Sequence, residues 1–541
     1  MQPRLDAPMP IWMIFPVVFA ALYASHFTLM RLPYYWDEAG YYIPAAWDFF
    51  RTGSLIPLTT PSNAHPPLPS IYLSLWWRAS GFNPEVTREA VLMVATLGLL
   101  AVWRLAMRLN GAPSVAFFTV LLTGLYPIWF AQSTLAHADI FAAACTLWGM
   151  VHALPDRGRR PVIAALWFTA AALCKETSVF IPLTLAAVFL SAGFRVLPPA
   201  RFRLWREAGW LASCVLPLGA WYAYHYAKTG FLFGNPAYLR YNAQATLLPV
   251  RVLAAFAHRL LHLTAHMNLF VPVLMTCAAL MLRPRLDADG HERASLSRPV
   301  LRRILLLLLV NAALFSVLGG ALLTRYLLPM YPLVLLVAVA TFYRRVPYWQ
   351  GLALFSVGAF VVGLFINPPY GFAPEDNLAY AHVIRMHQAG IAQLTARYRG
   401  ATVLSAWPVT DELSRPELGY VKQAWDVYRL EDFTPAEIAR AATEPEKYSA
   451  ALVFSTKYDP PARFMNMGPA SDAMDERFFG MHHDMNPDAI AQQLHGAMIW
   501  KKEDQGQWIA LLRFERQFEA DLDLPPRTGS AVSQSMPPPT R

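Results

Sequence analysis

The chain of 541 residues has few charged residues, few cysteines and few glycines. Asp, Glu, Lys and Arg make up 15% of the sequence, whereas hydrophobic residues make up 55%. A chain this apolar is not intrinsically disordered, because disorder requires low hydrophobicity. Its 4 cysteines exclude a disulfide scaffold, and its 28 glycines exclude a collagen-like repeat. The remaining class is a protein that crosses a membrane several times.

Several motifs are also missing from the sequence. No glycine-rich phosphate loop follows a predicted strand, which argues against a nucleotide site of that type. No basic face with interleaved aromatic residues is present, so we expect no nucleic-acid partner. The sequence has no internal repeat and no Asn-X-Ser/Thr glycosylation acceptor. The missing acceptor favours a bacterial periplasm over the lumen of the endoplasmic reticulum.

The net charge changes sign along the chain. Before Asn367 there are 28 Lys and Arg against 13 Asp and Glu, which gives +15. From Asn367 onward there are 17 against 23, which gives −6. Basic loop residues mark the cytoplasmic side of membrane proteins. The charge pattern therefore indicates a membrane part up to residue 366 and a soluble part after it.

Eleven apolar segments before residue 367 are long enough for membrane-spanning helices, which need about 20 residues. Arginine-rich short loops place the N-terminus in the cytoplasm, and an odd number of spans then places the C-terminal part outside. Two of the predicted outside loops are long, namely residues 31–87 and residues 228–265. The first of them is expected to contain two short interfacial helices, Asp37–Thr52 and Pro67–Ser80. The predicted spans are 10–30, 88–108, 112–130, 136–154, 161–175, 177–196, 208–227, 266–282, 303–321, 326–342 and 347–366.

Residues 367–524 have the pattern of a soluble α/β domain. Helical periodicity covers Asn377–Arg399, and short apolar runs with strand character lie at Ala401–Ala406, Ala450–Ser455 and Trp508–Phe514. Residues 525–541 are rich in proline and serine, which is typical of a disordered tail. The fold prediction is an α-helical polytopic membrane bundle over residues 1–366 with about eleven transmembrane helices, followed by this domain.

The strongest local signal is the run Tyr34–Tyr42, which contains the adjacent carboxylates Asp37 and Glu38 among aromatic side chains. Partial burial at the membrane surface raises a carboxylate pKa, and a second nearby carboxylate raises one of the pair further. Such a group suits general-base work on a hydroxyl. The alternative is a pair of acids that stabilises the start of a helix.

Four further residues carry charge or proton-transfer capacity on the predicted outer side. His65 lies in the first long loop, before two prolines, and Asp139 lies near the outer end of the fourth span. Lys175 follows the fifth span, and Arg325 lies between the ninth and tenth, followed by Tyr326. Lysine and arginine at these positions suit an anionic ligand such as a lipid phosphate. Each of them could instead be an interfacial anchor or a local structural residue.

At these motifs the sequence resembles the GT-C integral-membrane glycosyltransferases, in the family of protein O-mannosyltransferases, aminoarabinose transferases and their bacterial relatives. The resemblance covers roughly residues 10–345. It is carried by the Asp-Glu pair, by His-Pro-Pro-Leu at residues 65–68, by Ala-His-Ala-Asp at 136–139, by Lys-Glu-Thr at 175–177 and by Arg-Tyr-Leu-Leu-Pro at 325–329.

The resemblance implies transfer of one sugar from a polyprenyl-phosphate-linked donor to an acceptor hydroxyl, usually with inversion, on the outer face of the membrane. Asp37 would be the general base, with Glu38 supporting it or orienting the acceptor. Lys175 and Arg325 would bind the phosphate, with Tyr326 and His65 as weaker candidates. Asp139 would be a second acid lining the cavity. The implied place is the bacterial inner membrane, with the C-terminal domain in the periplasm.

Other interpretations stay open at the level of sequence. No ligand spacing in the sequence demonstrates a cofactor, although Asp37, Glu38, Asp139 and His65 could hold Mg²⁺ or Mn²⁺ if they converge. A lipid-linked sugar transporter would share the many spans and charges, but the paired half-repeats of transporters are missing. A scaffold with an inactive bundle is a second alternative. The sugar and the acceptor, whether glycan, lipid or protein, are not encoded in any motif we recognise.

Overall fold

The computed structural model describes residues 11–240, 246–398, 400–458, 469–479 and 484–514. The predicted tail at 525–541 lies outside the described residues, as do five residues of the predicted loop 228–265. Up to residue 365 the described chain is helical. Its α-helices are Ile11–His26, Ile43–Thr52, Leu68–Ser80, Pro84–Leu109, Pro113–Leu125, Pro127–Gln132, Ala138–Ala153, Pro161–Cys174, Phe180–Gly193, Ala200–Ala212, Val215–Thr229, Pro236–Leu239, Pro249–Thr264, Phe270–Leu280, Arg298–Val317, Tyr331–Arg345 and Trp349–Phe365.

Proline sets the start of many of these helices. Pro84, Pro113 and Pro161 each begin a long apolar helix. Proline favours the first helical position because its φ is already helical and its missing N–H would have no partner there. At the first of these starts, the Asn83 side chain also accepts a hydrogen bond of 2.9 Å from the backbone N–H of Val86. Short sequence signals therefore divide the apolar chain into separate helices.

Each of the eleven predicted spans coincides with helix, but the number of membrane crossings stays a prediction. In the described part of the chain, three helices are long and apolar enough to cross a bilayer, namely Pro84–Leu109, Glu176–Gly193 and Arg298–Val317. Pro249–Asn268 and Phe270–Leu280 add a fourth if the 99° bend between them lies within one span. The apolar helices that complete the bundle are shorter. They are Met13–Leu29, Pro113–Leu125, Ala138–Ala153, Pro161–Cys174 and Trp349–Phe365.

Two consecutive helices pack closely and place two charged residues at the same end of the bundle. Ala138–Ala153 and Pro161–Cys174 pack so closely that a Cβ on Gly149 would lie 2.6 Å from the Phe168 ring. Small residues allow helices in membranes to approach in this way. Asp139 stands at the start of the first helix and Lys175 directly follows the second. The helical hairpin therefore places both side chains at one end of the bundle.

The C-terminal part is a five-stranded sheet with helices packed against it. The strands are β1 (Val403–Ala406), β2 (Val427–Leu430), β3 (Ala450–Phe454), β4 (Gly496–Asp504) and β5 (Gln507–Phe514). Their order is β2-β1-β3-β5-β4; β1 is parallel to both β2 and β3, whereas β5 is antiparallel to β3 and β4. The α-helices of this part are Ala379–Arg397, Val409–Ser414, Pro435–Ala442, Pro469–Phe479 and Pro487–Gln493.

The mostly helical chain with a small C-terminal sheet agrees with the predicted fold, but the sequence did not predict two of the strands. These are β2 and β4, the two edge strands of the sheet. The end of β4 reads Lys501-Lys502-Glu503-Asp504, and its lysines are exposed. Charged residues are common on edge strands, where they oppose pairing with other chains. β4 therefore combines an apolar first half with a charged second half, and β2 has only four residues, one of them Arg429, so neither strand has the largely apolar pattern of the three inner strands.

Candidate active site

A large cavity lies between the helical bundle and the C-terminal domain. Its volume is about 2020 Å³, and its lining includes Asp37, His65, Lys175, Arg325 and Tyr326. These five residues come from four separate parts of the sequence. The structure therefore brings five of the seven residues singled out in the sequence to the wall of one cavity.

The Arg325 guanidinium is the centre of the charged residues in this wall. It donates hydrogen bonds to Asp37 through one terminal nitrogen and to both carboxylate oxygens of Glu375 through the other. Its Nε lies 3.2 Å from the Asp139 carboxylate without hydrogen-bond geometry. The Arg325 side chain is 3% exposed, whereas that of Asp37 is 34% exposed. Arg325 is thus surrounded by carboxylates, and Asp37 is the one that faces open space.

Lys175 lies beside this cluster with partners of its own. Its ammonium group forms an ion pair with Asp139. It also lies 4.0 Å from the centroid of the Tyr326 ring, which is a cation–π contact. An ammonium group has three donors, so further acceptors can bind to it. Lys175 therefore keeps the capacity to bind an anion in the cavity.

Asp139 does not line the large cavity, which corrects its predicted position. It is 3% exposed and borders a separate pocket of about 20 Å³. Its two cationic contacts, Lys175 and Arg325, both line the large cavity. Asp139 is therefore placed to position these cations.

His65 lies on another part of the cavity wall. Its Nδ1 is 3.0 Å from Glu176, and its Nε2 is 3.3 Å from the hydroxyl of Tyr238. Its ring also stacks on Tyr42, with centroids 5.9 Å apart. Both ring nitrogens have protein partners, so His65 is positioned by its neighbours. Lys175 and Glu176, adjacent in sequence, thus bind different partners.

Glu38, the predicted partner of Asp37, does not line the cavity. Its carboxylate accepts hydrogen bonds from the backbone N–H groups of Tyr35 at 2.9 Å and Ala136 at 2.7 Å. Arg88 approaches both carboxylate oxygens at 3.5 Å. Burial raises the pKa of Glu38, while Arg88 opposes that shift. Glu38 thus connects the first loop to the turn before Asp139, which is a positioning arrangement.

Arg88 was not singled out in the sequence, although it stabilises the same loop. The residue is fully buried. Its guanidinium donates hydrogen bonds to the carbonyl oxygens of Leu32, Pro33 and Thr134. An arginine near the start of an apolar helix is the signal that could have revealed it. Its contacts hold the chain on both sides of the loop that carries Asp37.

Glu375 and Asp376 are the site residues that the sequence analysis missed. Both are buried in a 3₁₀ turn, Pro374–Asp376, between the last long helix and the C-terminal domain. Burial raises the pKa of Glu375 to about 8; Arg325 opposes the shift and the carboxylates of Asp37, Asp376 and Asp139 reinforce it. The available signal was a second pair of adjacent acids in the segment that follows the last apolar helix.

Asp376 anchors this turn to the bundle. One carboxylate oxygen lies 2.9 Å from Nε2 of His266, and the other accepts a hydrogen bond from Thr324, the neighbour of Arg325. His266 also contacts the Tyr370 hydroxyl through Nδ1 at 3.0 Å. The segment after the last span is therefore held at the residue next to Arg325.

The four residues proposed to share a metal ion do not form one cluster. Within the described ranges, no group of three or more His, Cys, Asp and Glu side chains has an arrangement suited to a metal ion. Glu38 is bound to Arg88 and His65 to Glu176, while Asp37 and Asp139 contact Arg325. The sequence analysis left the use of Mg²⁺ or Mn²⁺ open, and this arrangement does not test it.

Comparison with known proteins gives a sequence match and a structural match. Residues 64–221 match the family described as "Dolichyl-phosphate-mannose-protein mannosyltransferase". No curated protein sequence matches the chain. The fold is similar to that of ArnT from Cupriavidus metallidurans bound to undecaprenyl phosphate, with a TM-score of 0.53 and 14% sequence identity over 93% of this chain and 98% of ArnT.

The apo form of the same ArnT covers the same shares of both chains, with a TM-score of 0.50 and 14% identity. At this identity the match shows the fold. It extends over the helical bundle and the C-terminal domain together, beyond the segment that the sequence match covers. The predicted resemblance is therefore confirmed: the chain resembles the mannosyltransferase family in sequence over residues 64–221 and has a fold similar to that of ArnT over most of its length.

Proposed function

We propose that the protein is a membrane glycosyltransferase that moves a sugar from a polyprenyl-phosphate-linked donor to an acceptor hydroxyl. One observation carries the proposal, namely that a partly exposed carboxylate, Asp37, lies beside the buried cation Arg325 in the wall of a cavity of about 2020 Å³. The matched ArnT structure, which was solved with undecaprenyl phosphate, supports the donor class. The match to the mannosyltransferase family supports the reaction class.

In this proposal Asp37 is the general base. It would accept the proton of the acceptor hydroxyl while that oxygen attacks the anomeric carbon through an oxocarbenium-like state with inversion. Arg325 fixes the orientation of the carboxylate, whose exposed side can reach an acceptor. Glu38 holds the loop that carries Asp37 through its backbone hydrogen bonds and has no direct contact with substrate in this proposal.

The leaving phosphate needs positive charge, which Lys175 and Arg325 supply, with Tyr326 and His65 at the same wall. Lys175 has one carboxylate partner, Asp139, whereas Arg325 has its nitrogens directed at three carboxylates. Phosphate can bind to Arg325 only if one of these carboxylates moves away or loses its charge. Burial raises the pKa of Glu375 to about 8, so this carboxylate can lose its charge near neutral pH.

We further propose that this site faces the periplasm of a bacterial inner membrane, with about eleven spans and the N-terminus in the cytoplasm. The basic loops expected in the cytoplasm contact one another. Arg303 lies 2.6 Å from Asp156, and Arg159 lies 2.7 Å from Glu207. Both contacts join segments that are far apart in sequence, which supports a common cytoplasmic end for them.

The decisive experiment measures transfer and donor binding separately. With purified protein in nanodiscs and labelled polyprenyl-phosphate sugar, we expect Asp37→Asn to lower sugar transfer by about 10²- to 10⁴-fold, the usual contribution of a general base. Binding of undecaprenyl phosphate should change little. Asp426→Asn, a matched change at an exposed position of the C-terminal domain, is the control. Near-normal turnover in Asp37→Asn would refute the general-base role.

The alternative is a transporter of lipid-linked sugars, which would use the same donor without breaking its glycosidic bond. In sealed vesicles a transporter would move labelled donor between leaflets and leave the sugar attached. The proposed transferase releases the sugar onto an acceptor and forms free polyprenyl phosphate. Mass spectrometry of the lipid products separates the two functions.

A further inference from the structure

The carboxyl ends of β1 and β3 face the cavity. We call this end of the sheet its carboxyl edge, as distinct from its edge strands. Strand β1 has β2 on one side and β3 on the other, and all three run parallel. The chain therefore leaves β1 towards one side of the sheet and leaves β3 towards the other. In open α/β sheets, ligands bind at the carboxyl ends of the strands where the strand order reverses in this way. In this sheet that point lies between β1 and β3.

The residues that follow these two strands line the cavity. Trp407 directly follows β1, and Thr456, Lys457 and Tyr458 lie just after β3. Gln507, the first residue of the neighbouring strand β5, is part of the same wall. Because β5 is antiparallel to β3, its beginning lies at the carboxyl end of β3. The carboxyl edge of the sheet thus lies in the wall of the same cavity as Asp37 and Arg325.

Trp407 reaches the loop that carries Asp37. Its ring lies 4.9 Å from that of Trp36, at an interplanar angle of 72°. It also packs over Gly40, where an added Cβ would lie 2.8 Å from the Trp407 ring. Trp36 has a φ of 44°, a left-handed conformation that costs free energy for a residue with a side chain. The loop accepts this strain beside Asp37.

Both tryptophans are half-buried and both line the cavity. Neither indole N–H makes a hydrogen bond to another described residue. An apolar ring with an available N–H donor suits a ligand that has both C–H faces and hydroxyl groups. Sugars have this surface.

We propose that the carboxyl edge of the C-terminal sheet, with Trp407 at its centre and Trp36 beside it, binds the acceptor and that the acceptor is a saccharide. The inference rests on the proposed glycosyltransferase function and names its acceptor class. One sugar ring packs on the indoles, polar side chains such as Gln507 bind its hydroxyls, and the hydroxyl to be modified lies at Asp37.

The geometry disfavours an extended peptide as the acceptor. Peptides that add to a sheet pair with an edge strand through their backbone. The edge strands here are β2 and β4, whereas strand ends line the cavity. A peptide would need the free backbone of an edge strand, which the described wall of the cavity does not offer. A compact ligand needs only side chains, and the residues at the strand ends provide them.

The test uses the full-length protein in nanodiscs with donor and a panel of acceptor probes. The probes are simple methyl glycosides, a β-linked disaccharide and a Ser/Thr-containing peptide. We expect sugar transfer to at least one saccharide probe. Trp407→Ala should raise the KM for that probe by about tenfold or more, the usual effect of truncating an aromatic anchor, with a smaller change in kcat and unchanged undecaprenyl phosphate binding.

Two further variants separate binding from folding. Trp407→Phe retains an aromatic face and should recover part of the loss. Gln507→Ala leaves both tryptophans in place and should also raise the acceptor KM. Trp425→Phe is the matched control, since Trp425 belongs to the same domain and packs against the sheet core without lining the cavity.

The outcomes distinguish this inference from the proposed function. If donor is bound and consumed but only the peptide accepts sugar, or if Trp407→Ala leaves the saccharide KM unchanged, the acceptor inference is wrong and the transferase stands. If the protein neither binds undecaprenyl phosphate nor breaks the donor bond, the proposed function itself is wrong. If the acceptor KM rises as much in Trp425→Phe as in the Trp407 variants, Trp407 acts only through the packing of the domain and the inference is wrong.

Discussion

Arg325 binds Glu375 through both carboxylate oxygens while its other terminal nitrogen binds Asp37. One guanidinium therefore joins the first loop of the bundle to the turn after its last long helix. In this arrangement Glu375 and Asp37 each occupy one of the two terminal nitrogens, which are the donors that a phosphate would use for two parallel hydrogen bonds.

The first prediction concerns pH and the donor phosphate. Burial raises the pKa of Glu375 to about 8, so its charge is lost as the pH falls through that value and Arg325 is released. Phosphate affinity should therefore rise as the pH falls from 9 to 7, by up to about tenfold for one pKa unit of coupling. Titration of undecaprenyl phosphate binding at each pH measures it. The second ionisation of phosphate, near pH 6, lies below this range.

Glu375→Gln should remove that pH step and keep affinity at the high level throughout. The exposed Glu446→Gln should retain the step of the unmodified protein. A Glu375→Gln protein that binds phosphate more weakly at every pH would show that the carboxylate supports the site and does not compete for it.

The second prediction concerns the buried arginine beneath the first loop. Arg88→Met leaves Glu38 without its cation and three carbonyl oxygens without a donor. Loss of one partner from a buried pair costs about 3–5 kcal/mol of stability. Thermal unfolding in detergent should show a marked decrease in midpoint.

The same substitution at an exposed position is its control. Arg31 pairs with Glu85 at 3.2 Å, but its side chain is 80% exposed. Arg31→Met should cost no more than about 1 kcal/mol, as exposed ion pairs do. Equal losses at Arg31 and Arg88 would mean that the buried network does not hold the loop.

The third prediction concerns the glycine beneath Trp407. A methyl group at Gly40 would contact the Trp407 ring at 2.8 Å, so Gly40→Ala must displace the ring or the loop. We expect a loss of about 1–3 kcal/mol in stability, typical of overpacking, and a higher acceptor KM. Gly209→Ala, at a helical glycine with no neighbour within 4 Å, should not lower stability, because alanine favours a helix more than glycine does, and should leave the acceptor KM unchanged. An unchanged acceptor KM in Gly40→Ala would show that the position of Trp407 does not matter for acceptor binding.

The fourth prediction concerns metal ions. Arg325 and Lys175 already supply positive charge beside Asp37 and Asp139, and each of these carboxylates contacts a cation. We expect sugar transfer to persist after treatment with a chelator and to gain nothing from added Mg²⁺ or Mn²⁺. A loss on chelation that Mg²⁺ or Mn²⁺ restores would contradict this and support the metal ligation considered from the sequence.

The sequence predicted the charged residues of the cavity better than their connections. Asp37, Lys175 and Arg325 could be singled out because charged residues at membrane depth are costly and therefore rare. Which carboxylate each cation binds depends on the packing of helices that are far apart in sequence, and no local pattern records it. Glu38 illustrates this, since its position beside Asp37 indicated a shared role although its side chain points to Arg88.

Glu375 escaped prediction for a different reason. It lies in a segment that the composition assigns to the soluble domain, where acidic residues are common. Only the fold shows that the chain returns to the bundle at Pro374–Asp376 before it enters the domain. The helices and the inner strands could be predicted because their apolar periodicity is local, whereas edge strands and this return depend on tertiary contacts.

The placement of Glu375 after the last long helix also has a consequence for biogenesis. During synthesis Arg325 is made before Glu375, which lies 50 residues later in the chain. Until the turn that carries Glu375 docks, the carboxylate partners of the arginine are Asp37 and Asp139. Chains truncated before residue 375 should therefore be recognised by quality-control proteases, because the buried guanidinium has lost one of its three carboxylate partners.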